Sequence, residues 1–309
     1  MADKIIAVTG ATGAQGGGVV NVMKKTPGWK VRAVTRNPES DAAKKLAAEG
    51  VEVVVGDFND EASLVKAFEG VSAVFAVTNW WESLFTGSSQ HEAGAIEESH
   101  GMNLALAASK TPTLEHYLWS TQPSSKAKFF ESHGLETPHM DYKARVDARI
   151  KAELPNMAFF PLLKPFPYPG SGQHIQILAS DPNAKVLLAG DMSVNPGIWT
   201  RQVLASGPKA FAKYTNVALE RWSFKEMMDK WSEITGKKGR VVQVSEEEWT
   251  AFWGPAGREL SWQFKFGELC DPWEVGSEHI SAEELGIEEK EVVGFEGTIK
   301  AYAAAGLFD

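Results

Sequence analysis

The chain is poor in cysteine: Cys270 is the only one in 309 residues, which excludes an internal disulfide and a cysteine-rich metal site and suits a reducing compartment. It lacks any uncharged apolar run of the roughly 18–20 residues that a bilayer span requires, so no transmembrane helix is expected. Positive charge is in deficit, with 31 Lys plus Arg against 40 Asp plus Glu for a formal charge of −9. Without a basic field, direct nucleic-acid binding and attachment to anionic lipid are disfavoured. The first apolar segment begins at Lys4 and reads as a strand, without the three-part pattern of a secretory signal, so a cytoplasmic location is expected. What is present is ordinary globular composition, 43% hydrophobic and 23% charged, on a chain long enough for a large core.

The first half alternates short β-rich runs with helical patterns, the rhythm of βα units feeding a parallel sheet. Predicted strands are Ile5–Thr9, Lys30–Thr35, Val51–Val55, Ala73–Val77, Tyr117–Ser120 and Met157–Leu163. Predicted helices between them are Gln15–Lys25, Ser40–Glu49, Asp60–Phe68, His91–Ser109 and Thr137–Leu154. Right-handed crossovers make 3-2-1-4-5-6 the expected strand order, with the ligand crevice at the carboxyl ends of the strands. After Leu163 the rhythm changes, as Pro161, Pro165, Pro167 and Pro169 interrupt regular structure. Beyond them, Pro196 opens a helix running through Trp199–Ala205. Ser223 precedes a helix Phe224–Thr235 that Gly236 stops, Arg240–Val244 reads as a strand, and Ser245 with Glu248 forms a capping-box pattern. The expected fold is therefore α/β: a Rossmann-type doubly wound parallel sheet over residues 1–165, with a smaller α-rich C-terminal lobe over residues 166–309 packed on the sheet edge.

The turn Thr9-Gly10-Ala11-Thr12-Gly13-Ala14-Gln15-Gly16 lies between the first strand and the first helix, where a dinucleotide fingerprint must sit. Gly10 permits the tight turn, Gly13 lets backbone N–H groups approach a pyrophosphate, and Gly16 brings helix and sheet together. The helix N-terminus adds partial positive charge and free donors. Gly10, Thr12, Gly13, Ala14, Gln15 and Gly16 are thus the candidate contacts of this turn. The second strand ends in Thr35-Arg36-Asn37 with no acid, whereas Arg36 offers a planar fork to a 2′-phosphate, so NADP(H) is preferred over NAD(H). A solvated loop cation is the competing account of Arg36. Asp57 and Phe58 follow the third strand where adenine would lie, and an ordinary strand-end turn explains them nearly as well. No histidine–acid spacing resembles a zinc site, and no metal is assigned.

Several segments together resemble the NmrA-like family of atypical short-chain dehydrogenase/reductases, which includes fungal nitrogen-metabolite-repression regulators and animal NADPH-sensing proteins. They are Thr9–Gly17, Val31–Pro38, the fourth-strand exit Val77–Ser83, and His139-Met-Asp-Tyr-Lys143 ahead of Val146. The resemblance implies that Thr78 and Asn79 line the nicotinamide side of the crevice, that Lys143 reaches the nicotinamide ribose, and that the Pro165–Gly170 loop closes over the cofactor. A solvated helix-face lysine is the plainer alternative for Lys143. Trp80, Trp81 and Phe85 are candidate walls of a pocket for a flat or apolar substrate, with packing against the C-terminal lobe as the alternative.

Ordinary short-chain reductases carry Tyr-x-x-x-Lys, yet none of the five tyrosines here is followed by a lysine four residues later; His139 stands at that position before Lys143. Imidazole is the side chain suited to proton transfer near neutral pH, and His139 shares a helix face with Lys143, so it is a candidate proton relay, as is Lys143 itself, directly or through water. Ser120, at the end of the fifth strand, occupies the place of a carbonyl-orienting hydroxyl. A structural histidine and a capping serine are the respective alternatives. Two functions stay open: an NADPH-dependent reductase of a small carbonyl or conjugated metabolite, and a catalytically silent NADP(H) redox sensor whose occupancy changes its grip on a regulatory protein partner. A nucleotide-sugar epimerase is weaker, since it too wants the absent tyrosine.

Overall fold

The computed structural model describes residues 3–153, 165–168, 170–269 and 278–308; the predicted strand Met157–Leu163 and Cys270 lie outside them. Strands β1 (Lys4–Val8), β2 (Trp29–Thr35), β3 (Glu52–Val55), β4 (Ala73–Ala76) and β5 (His116–Trp119) form one parallel sheet in the order β3-β2-β1-β4-β5. This is the expected order as far as the described residues reach. The order reverses between β1 and β4, the switch point at which α/β sheets open a crevice.

Helices α1 (Ala14–Met23), α2 (Asp41–Ala48), α3 (Glu61–Ala67), α4 (Trp80–Phe85), α5 (Gln90–Ser109), α6 (Ser125–His133) and α7 (Pro138–Glu153) complete this half. One core joins Ala7, Val34 and Val74 of the sheet to Leu64, Met102 and Val146, and the other joins Ile6, Val8 and Ala33 to Val19, Val20 and Met23. The sheet is therefore covered on both faces, which its parallel strands require. Local chemistry starts the helices. Ser40 and Asp60 accept from the free first-turn amides of α2 and α3, and Ser89 with Glu92 forms a capping box on α5.

The remaining chain forms β6 (Phe166–Tyr168), β7 (Gln173–Leu178), β8 (Lys185–Leu188), α8 (Asn195–Ser206), β9 (Glu220–Ser223), α9 (Phe224–Thr235), β10 (Lys238–Gln243), α10 (Glu246–Leu269) and α11 (Phe295–Ala304). It is a helical region, with small sheets ordered β10-β7-β6 and β8-β9. Pro167 does not end regular structure as expected: β6 is an edge strand, where proline's missing N–H removes no ladder bond. Ser223 and Gly236 bound α9 as predicted, with Gly236 at φ 69°. Helix α8 packs directly on α1. A Cβ at Gly197 would sit 2.4 Å from the Gly18 carbonyl oxygen, so the two backbones meet where neither residue carries a side chain. Helix α10 is broken at Gly254, whose φ 62° and ψ −148° only glycine adopts readily. Among the described residues no helix is long and apolar enough to cross a membrane.

Candidate functional site

Glycine geometry opens the crevice. Gly10 takes φ +57°, and its N–H-to-carbonyl turn is closed by Gly13 N–H donating to Gly10 O at 2.8 Å. A Cβ at Gly16 would lie 2.3 Å from that same carbonyl, so α1 meets the turn at backbone contact. Gly13 caps α1 without any side-chain acceptor, leaving first-turn amides directed at the crevice. Thr9 ties the two walls together: its Oγ1 donates to Val77 O at 2.9 Å and accepts from Val77 N–H at 2.8 Å.

The resulting cleft encloses about 460 Å³, within the roughly 300–1,000 Å³ of small-molecule sites. Gly10, Thr12, Gly13, Ala14, Gln15, Gly16, Arg36, Asp57, Phe58, Thr78, Asn79, Trp80, Trp81, His139 and Lys143 all line it. At one end Arg36 Nη2 holds Glu82 Oε1 at 2.6 Å, an exposed pair that joins the β2 exit to α4. Beside it the Asp57 carboxyl is held below the usual carboxylate range, first by the Asn59 backbone N–H. Burial pushes the His100 imidazole below its ordinary value; its Nε2 lies 3.0 Å from Asn59 Oδ1.

At the other end Lys143 reaches across from α7. Its Nζ donates to Thr78 Oγ1 at 2.7 Å and pairs with Glu97 Oε1 at 2.8 Å, while Thr78 Oγ1 donates to that same carboxylate oxygen at 2.8 Å. Lys143 and Glu97 are both buried, which excludes the solvated-lysine alternative. A buried pair of this kind loses several kcal/mol of hydration per ion and persists through close mutual contact. Two glycines make that contact possible: on α5, Gly94 and Gly101 flank Glu97 on one face, and Cβ atoms there would strike Tyr142 at 2.2 Å and Trp119 at 2.9 Å. Glu97 Oε2 is buried and has no hydrogen-bond partner among the described residues.

His139 lies against the Trp80 and Trp81 rings, with centroids 5.7 Å and 5.4 Å away. Its Nδ1 and its backbone N–H both meet Glu259 Oε1 at 2.7 Å. Glu259 Oε2 accepts from Gln90 Nε2 at 2.5 Å. Both His139 and Glu259 are buried, 2% and 0% exposed, and among the described residues His139 Nε2 has no partner.

Three expectations are corrected. Ser120 does not face the cleft; it is fully buried and donates to Gln15 Oε1 at 2.7 Å, so Gln15 stands between it and any ligand. Phe85 is 74% exposed and stacks on the outer side of Trp81, one helical turn on along α4. Within Pro165–Gly170, Phe166–Tyr168 pair with β7, and none of the described residues lines the cleft. Glu97 and Glu259 went unassigned in the sequence. Glu97 had a signal, an acid between two glycines on the apolar face of a helix. Glu259 had none, because its partner is 120 residues away.

The fold and the glycine turn define an α/β protein of the Rossmann type. The chain matches the model of the NmrA-like family over residues 2–268 and belongs to that family. An NmrA-like family domain-containing oxidoreductase of Aspergillus campestris is 27% identical over 305 residues, 90% of this chain and 86% of that protein. One of Aspergillus hancockii is 39% identical over 156 residues, 50% of this chain and 45% of its own length. The matched part spans less than half the length of several such relatives. Among solved structures, NmrA, a negative transcriptional regulator, in complex with NADP aligns with a TM-score of 0.76 at 20% identity over 99% of this chain and 97% of that one. The Citrobacter sp. triphenylmethane reductase complexed with NADP(H) aligns at 0.68 and 23% identity over 96% and 99%. These two likenesses establish the fold.

Proposed function

We propose that this protein is an NADP(H)-dependent reductase of a small carbonyl or conjugated metabolite. The observation that carries the reading is that one cleft collects the side-chain-free helix N-terminus, Arg36, and the Lys143 and His139 side chains. The residues fit a dinucleotide. The α1 amides receive the pyrophosphate, Arg36 the 2′-phosphate, and Asp57 and Phe58 flank adenine. Thr78 and Asn79 line the nicotinamide side, and Lys143, held by Glu97, donates to the nicotinamide ribose. When bound, a reduced nicotinamide supplies a hydride.

The chain's own residues do the rest. Trp81, backed by Trp80, forms a flat wall that excludes water and orients a planar substrate. His139 Nε2 is the proton donor in place of the absent tyrosine, and Ser120 acts only through Gln15.

The test is NADPH consumption against a panel of conjugated carbonyls, read by loss of the reduced nicotinamide's absorbance. Turnover is expected with some of them, and Lys143→Ala is expected to lower kcat/KM by about 100-fold or more. NADPH binding without turnover on any carbonyl would sink this reading and leave the sensor in its place.

A further inference from the structure

The His139 ring sits in the cleft wall with one nitrogen spoken for and one free. Glu259 Oε1 takes both the Nδ1 contact and the backbone N–H of His139. That N–H is a first-turn donor of α7 with no partner inside its helix. A single oxygen thus caps α7 and fixes the ring plane. Gln90 holds the other oxygen, so the carboxylate cannot rotate away. The ring nitrogen left is Nε2, buried and, among the described residues, unpartnered, on a residue that lines the cleft.

We propose that Glu259, in the C-terminal region, is the positioning residue that makes His139 a proton donor: it holds the ring with Nδ1–H toward itself and compensates the imidazolium charge, so that Nε2–H points at the substrate. The inference rests on the reductase reading. It follows the logic by which a buried carboxylate fixes the tautomer of a catalytic histidine. As a carbonyl carbon accepts a hydride from a reduced nicotinamide, the C=O π pair becomes a lone pair on oxygen. That oxygen takes the proton from Nε2, whose N–H pair stays on nitrogen as the ring becomes neutral. The product is an alcohol, and a proton from water restores the imidazolium. Helix α10 is broken at Gly254, and the segment beginning at Pro255 carries Glu259 to its contact with His139.

Two measurements test this. The first is 15N NMR of the protein labelled at its seven histidines, with the His139 signals assigned by their loss in His139→Gln. Neutral His139 is expected to be protonated at Nδ1 and bare at Nε2, and Glu259→Ala to give a tautomer mixture. The second is kinetics of Glu259→Gln, whose amide oxygen keeps both acceptor bonds and so keeps fold and tautomer. Its NH2 meets the Gln90 side chain, which turns its amide over to present oxygen, and kcat is expected to fall at least about 30-fold, with NADPH affinity within about two-fold of the unaltered protein. Protonation of neutral His139 mainly at Nε2, or an unchanged kcat in Glu259→Gln, overturns the proposal. Failure of the unaltered protein to turn over any carbonyl overturns the reductase reading, while the NMR result still decides whether Glu259 sets the tautomer.

Discussion

The Arg36–Glu82 pair spans the mouth of the cleft at the end where a 2′-phosphate would bind, with Nη2 and Oε1 2.6 Å apart. Both side chains are more than 40% exposed, so the pair is worth about 1 kcal/mol or less. A phosphate accepting from the guanidinium has to displace Glu82 or share Arg36 with it. Glu82→Gln removes the competitor and should tighten NADP+ binding by up to about five-fold, while leaving NAD+ binding nearly unchanged. Fluorescence titration with both coenzymes checks this, and weaker NADP+ binding in the variant would show that Glu82 supports the site. At this scale the sequence was informative where a residue's role is local: Arg36 and the turn glycines were named from their places along the chain, and Lys143 from the family resemblance. It misled at Phe85 and Ser120, because the direction of a side chain depends on helix phase and on neighbours such as Gln15, which a strand-end position does not reveal.

Among the elements, the βα rhythm made the first half readable, and the five strands that lie among the described residues fall within a residue or two of expectation, because short β-rich runs mark them. Helices α4 and α6 were missed. The first is six residues long, too short for an apolar stripe to show, and the second buries only Ser125 and so carries no such stripe. Strands β6–β9 were missed because they pair with distant partners and carry proline or mixed patterns. The crossing of α1 and α8 depends on glycine in both helices. Ala at Gly197 puts a Cβ 2.4 Å from Gly18 O and 2.6 Å from the Val22 Cβ, an overpacking that costs about 1–3 kcal/mol. Gly197→Ala should lower the melting temperature by about 2–10 °C, read by circular dichroism. An unchanged melting temperature would mean that the helices separate freely.

At the level of the whole molecule, the cleft is lined from the first half of the chain, and one of its lining residues is held from the second. The sheet half supplies the glycine turn, Arg36, Glu97, His139 and Lys143, and the C-terminal region supplies Glu259, whose carboxylate holds His139. The proposed division at residues 1–165 and 166–309 therefore separates the coenzyme cradle from the carboxylate that holds His139. Long-range placement of this kind is invisible to motif spacing, which explains why the cradle was legible in the sequence and the His139–Glu259 arrangement was not.

The central claim is that the turn after β1 binds a dinucleotide and Arg36 selects the one bearing a 2′-phosphate. Calorimetric titration of NADPH and NADH into the unaltered protein and into Arg36→Glu tests it most directly. The expected result is NADPH binding at least about ten-fold tighter than NADH, a difference that Arg36→Glu abolishes by replacing a charge-assisted contact with repulsion. No binding heat with either coenzyme on folded protein, or equal losses for both in Arg36→Glu, would contradict it.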